Sequence, residues 1–154
     1  MMIAMRRISK LLIIAALLGG IVLAGIVLRS YWPTPKVVTR RALTDTVGVN
    51  AIDCGWSAIG HDRSKQRDCV LAASHNRIPF IALYGVQGKE EPYVVGLAGD
   101  HQGGGHMLDV EAGDNFRKLY REATKNGNHL QPQNCPSPLK LKVVEDGIIL
   151  CFPN

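Results

Sequence analysis

The chain is poor in aromatic residues: three Phe, four Tyr and two Trp in 154 residues. Residues 31–154 hold fourteen Lys/Arg against thirteen Asp/Glu in mixed signs. This part of the chain therefore offers no basic groove of the kind that holds nucleic acid, and nucleic acid is not an expected partner. Acidic residues are absent before Asp45 and cysteine is absent before Cys54. With no Cys near the N-terminus, a lipid-modified cysteine behind an export segment is excluded as well. No Asn-x-Ser/Thr sequon occurs, which agrees with a bacterial source. No internal repeat or low-complexity tract is present, so repeat architectures drop out. Gly103-Gly104-Gly105 is followed by His106-Met107 rather than Lys-Ser/Thr at a helix start, which rules out a phosphate-binding loop.

What the sequence does hold is Leu11–Leu28, eighteen residues without a charge or a strong hydrogen-bonding side chain. As a helix the run would reach about 27 Å, close to the hydrocarbon thickness of a bilayer. Inside lipid every backbone polar group must be satisfied internally, so such a run is expected to be helical. Arg6, Arg7 and Lys10 precede it; Arg29 closes it, and Tyr31 and Trp32 follow as an interfacial aromatic pair. Two rival readings are a buried helix of a soluble protein and a cleaved signal peptide with its cut after Val22-Leu23-Ala24. The apolar run continues through Ile26, Val27 and Leu28 and exceeds the length a signal needs, which favours an uncleaved anchor. The expected organisation is a cytoplasmic basic tail (1–10), a transmembrane signal anchor (11–28), a juxtamembrane linker (29–50) and a periplasmic domain (51–154).

Basic residues on the two flanks nearly balance: Arg6, Arg7 and Lys10 against Arg29, Lys36, Arg40 and Arg41. Orientation therefore rests on the export-like layout of the short basic N-terminus, which puts the tail inside and the domain outside. The formal charge of +5 belongs to this arrangement: four of the eighteen Lys/Arg but none of the thirteen Asp/Glu lie in residues 1–30. Ala16, Gly20 and Ala24 recur every four residues, beside Ala15 and Gly19. Such a stripe would let two helices approach closely as a homodimer.

Cys54, Cys69, Cys135 and Cys151 all fall in the C-terminal domain. An even set on the exported side predicts two disulfides, with three connectivities open. Local pairing, Cys54–Cys69 and Cys135–Cys151, closes the shortest loops at least entropic cost and is preferred. The hairpin register described next sets Cys151 opposite Lys142 and so argues against the second of these bridges.

Asp62 to His75 has helical character, with Asp62 or Ser64 as cap. Phe80–Val86, Pro92–Ala98 and His106–Glu111 alternate with Gly-containing loops and predict an antiparallel meander. Asp114 introduces a second helix to Lys125, with Phe116, Leu119, Tyr120 and Ala123 on one stripe. Residues 128–138 are expected to be loop. A terminal hairpin turning at Asp146-Gly147 would place Val143 opposite Leu150 and Leu141 opposite Phe152. In the linker, Pro33 and Pro35 are expected to prevent helix, leaving Val37-Val38 or Val47–Val49 as short edge strands. The fold class that results is α+β: an antiparallel sheet of about five strands with two helices packed on one face.

Asp53-Cys54, with His106 on a later strand, resembles the nucleophile and base of NlpC-type cell-wall peptidases. Gly55-Trp56 stands where that family has Ser-Gly, and no long helix follows directly. The resemblance implies a thiol-dependent cell-wall hydrolase using Cys54 and His106. Against it, four cysteines suit bridging, and a thiolate nucleophile needs a neighbouring base and a lowered pKa. Asp100, His101, His106 and Asp109 could be read as metal ligands, but two histidines five apart across three glycines match no metal-site spacing. Neither a cofactor nor a metal is expected, and Trp56 and Tyr84 are expected in the core or an interface. The sequence thus leads to a bitopic protein of the bacterial inner membrane. Its domain is expected to bind an envelope protein or cell-wall material as an inhibitor, immunity factor or complex subunit, and to catalyse nothing.

Overall fold

The computed structural model describes residues 20–21, 33–125, 130–144 and 147–151. The chain divides into two compact units, Met1–Pro33 and Thr34–Asn154. Among the described residues no helix is long and apolar enough to cross a membrane. The run Leu11–Leu28, with Ala16 and Ala24 of its small-residue stripe, lies outside the described residues except for Gly20 and Ile21.

The second unit is a small α+β domain. It opens with helix α1 (Pro35–Val47), where strands were expected. Pro35 does not block this helix, because at the first helical position its missing N–H has no intrahelical partner to lose. Thr34 supplies the cap, its Oγ1 accepting from Val37 N at 3.4 Å. Val38, Thr39 and Leu43 form the buried side of α1, and the ion pair of Arg40 with Asp53 ties it to the first strand.

Strands β1 (Ile52–Ser57), β2 (Phe80–Gln87), β3 (Pro92–Gly99), β4 (Gly105–Glu111) and β5 (Gln133–Cys135) form one sheet in that spatial order. The sheet is mixed, which corrects the all-antiparallel expectation. β1 runs parallel to β2, with a bulge between Asp53 and Gly55, while β2 to β5 pair antiparallel. A parallel neighbour requires a long crossover, and the connection from Ser57 to Phe80 carries one: helix α2 (Ser64–His75). β5 arises within the stretch read as loop.

Helices cover both faces of the sheet, not one. Phe80, Ala82, Tyr84, Val95 and Leu97 face Val70 and Ala73 of α2 and the terminal hairpin, β6 (Leu141–Val143) with β7 (Ile149–Cys151). Ile81, Leu83, Ala98, Leu108 and Val110 face Val38 and Leu43 of α1 and Phe116 of α3 (Asp114–Lys125). The sequence carried this in one place: Phe80 to Gly85 is an unbroken apolar run and every residue of it is buried, as in strands packed on two sides.

The terminal hairpin forms a separate two-stranded sheet. Its register is one residue from that expected, pairing Leu141 with Cys151 and Val143 with Ile149. The turn holds three residues rather than two. Val144 N donates to Ile148 O at 2.8 Å, and Gly147 takes φ 74°, as in a hairpin loop that ends on a left-handed glycine.

Candidate functional site

All four cysteines are bridged in the local pattern, Cys54–Cys69 and Cys135–Cys151, with Cα separations of 5.6 and 5.9 Å. Each bridge ties an element covering the same face to the sheet. Cys54 sits in the β1 bulge beside Gly55, whose φ of 97° suits glycine alone, and joins α2. Cys135 on β5 joins Cys151 on β7, and so fastens the hairpin to the sheet edge. The one-residue change of register removes the sequence-based objection to that bridge, because Cys151 now lies opposite Leu141.

Cys54 and His106 are not brought together. Two strands separate β1 from β4, which sets them about 14 Å apart across the sheet. They also face opposite ways: Cys54 belongs to the α2 side, whereas His106 pairs with Ala98 of the other side. The Cys54 sulfur is itself held in the disulfide.

His106 has its own neighbours. Its Nδ1 is 3.0 Å from Asn134 Oδ1 and its Nε2 is 3.8 Å from Asp100 Oδ2. Asp100 is engaged in shaping the β3–β4 loop, with Oδ1 accepting from Gln102 N at 2.8 Å and Gly104 N at 2.9 Å. His101 is exposed, and Asp109 lies three residues along β4, on the opposite face from His106. Among the described residues no group of three or more His, Cys, Asp or Glu is placed to hold a metal ion.

A buried polar set that sequence reasoning missed lies between α2, β1 and β2. Arg63 is 5% exposed and Gln66 6%. Arg63 Nη2 donates to Gly85 O at 2.7 Å and its Nε to Ser57 Oγ at 3.3 Å. Gln66 Nε2 donates to both Gly55 O and Leu83 O, at 2.8 and 2.9 Å. These side chains satisfy strand carbonyls beside the bulge, where the regular ladder is interrupted. Gln66 Oε1 and Tyr84 Oη have no partner in hydrogen-bond geometry. Burial pushes the Tyr84 phenol up to about 12, against smaller lowering pulls from the Ile149 backbone and the Arg63 guanidinium. The set acts as a structural pin between α2 and the strands. At sequence level Arg63 and Gln66 look like any polar residues on a helix start.

Two grooves lie at the end of the sheet where β2 finishes and β3 begins. One, of about 650 Å³, runs between the sheet and the terminal hairpin and is lined by Val86, Tyr93, Val95, Ile148 and Leu150, with Lys142 its charged member. The other, of about 400 Å³, lies beside the start of α1, among Pro35, Lys36, Trp56, Ile59, Tyr93 and Val94. Lys36 Nζ stands 5.1 Å above the Trp56 ring, a cation–π distance. Both grooves are lined mainly by apolar side chains, as small-ligand sites are.

Comparison with protein-family models, curated proteins and solved structures finds no match. The functional reading therefore rests on these surfaces, the bridges and the N-terminal run.

Proposed function

We propose that the chain is a single-pass envelope protein, held in the inner membrane by Leu11–Leu28, whose domain acts on the periplasmic side as a binding module. It serves as an inhibitor, an immunity factor or a subunit of an envelope complex, and it catalyses nothing. The observation that carries the reading is the state of the cysteines: all four are joined within the domain. Such bridging belongs to an oxidising compartment and leaves no thiolate for the hydrolase chemistry that Cys54 and His106 suggest. The apolar run supplies the means of export and retention, and the grooves supply surface for a partner.

The test uses the full chain expressed in a bacterium. Membranes are washed with alkaline carbonate, and thiols are counted by alkylation before and after reduction. The reading expects retention in the membrane pellet and no alkylation until the bridges are reduced. Release into the supernatant, or a thiol at Cys54 reactive without reduction, overturns it. A pull-down from detergent-solubilised envelope with the full chain as bait then identifies the partner class.

A further inference from the structure

The groove beside α1 differs from its neighbour in where the chain enters it. Thr34 and Pro35 both line it, and only residues 29–33 separate Thr34 from the end of the apolar run. Fully extended, that connection spans at most about 20 Å. If the run is anchored in a bilayer, the groove cannot lie far from the headgroups.

Its lining has the chemistry of that region. Trp56 and Tyr93 are the residue types that concentrate at membrane–water interfaces, and Lys36 can keep its ammonium in water while its stem lies along apolar surface. At the same end Val37 and Ile59 are 55% and 45% exposed. The opposite end of the sheet is different: it carries the Asp100–Gly104 loop, with exposed His101 and Gln102. Charges near the groove are mixed. Lys36 and Lys89 stand against Glu90 and Glu91 in the β2–β3 loop and Glu111, which pairs with Tyr93. Attraction to anionic lipid is therefore not the driving term, and insertion of apolar and aromatic side chains is.

We propose that this groove and its rim of Val37 and Ile59 form a lipid-contacting seat, which rests on the phospholipid surface of the bilayer that holds the anchor. The seat rests on the anchored reading given above and adds to it a fixed orientation. The domain stands with the α1 end of its sheet against the membrane, and the Asp100–Gly104 loop points away from it.

The full chain carrying Trp32→Phe, so that Trp56 is the remaining tryptophan, is reconstituted into phosphatidylcholine vesicles with either ordinary or brominated acyl chains. Trp56 emission is expected to fall roughly two-fold in the brominated vesicles, as for an indole at the interface. Adding Ile59→Asp, at an exposed position where the fold is not at stake, is expected to abolish the difference while both disulfides still form. Carbonate washing of the same vesicles reports on the anchor separately. Retention without quenching overturns the seat and leaves the anchor standing. Quenching that survives Ile59→Asp also overturns the seat. Quenching in a chain that carbonate releases overturns the anchor and with it the fixed orientation, and release without quenching overturns both the anchor and any lipid contact.

Discussion

Gln66 has both hydrogens of its amide committed to strand carbonyls, on Gly55 and Leu83. Replacing it by Leu keeps the volume but leaves two carbonyls at the bulge without this donor. The expected cost is about 2 kcal/mol, read as a lower urea midpoint with an unchanged slope. Tyr84 gives a second residue-scale test. Its folded-state pKa stands near 12, above the ordinary value of 10.0, so the native state keeps a proton that the unfolded chain releases first. The contribution is whole below pH 10 and is lost as pH rises from about 10 to about 12, at up to about 1.4 kcal/mol per pH unit. Tyr84→Phe is expected to flatten that alkaline loss in pH-dependent melts. The sequence placed Tyr84 in the core or an interface but did not mark out Gln66, because a Gln on a helix reveals its partners only after β1 has paired with β2.

Among the elements, α1 shows how closely a helix can press on a sheet. A Cβ on Gly96 of β3 would come within 2.5 Å of Thr39 Cγ2 and 2.6 Å of Leu43 Cδ1. Gly96→Ala is therefore expected to push α1 off the sheet and to lower stability by about 1–3 kcal/mol, with a shift in Trp56 emission because Lys36 leaves its ring. The meander β2–β3–β4 and helices α2 and α3 were legible from period and glycine loops, although the N-cap of α2 is Arg63, without a side-chain cap bond, and not Asp62 or Ser64. α1 was not, since its apolar positions are few and Pro35 reads equally as the end of one element or the start of another. The hairpin was legible as a hairpin, while its register depended on whether the turn held two residues or three. That choice is made by the packing of Ile148 and Ile149 against the sheet, since a slip of one would turn the strand over.

For the molecule as a whole, the two bridges do different work. The terminal hairpin shares no ladder with the main sheet, so Cys135–Cys151 is its covalent tie. Cys135→Ser with Cys151→Ser is expected to cost about 2–4 kcal/mol, and amide exchange should speed up in β6 and β7 well before the main sheet. Equal protection throughout would show that packing alone holds the hairpin. The sequence by itself determined the joining of the four cysteines in two bridges, the α+β class and the segregation of charge from the apolar N-terminal run, because each depends on local spacing or composition. The choice among three connectivities was settled by the fold. Only the tertiary structure decided the parallel β1, the covering of both faces, the distance between Cys54 and His106, and the grooves. Those depend on contacts between residues far apart in the chain, where many pairings satisfy the same local pattern and burial selects one.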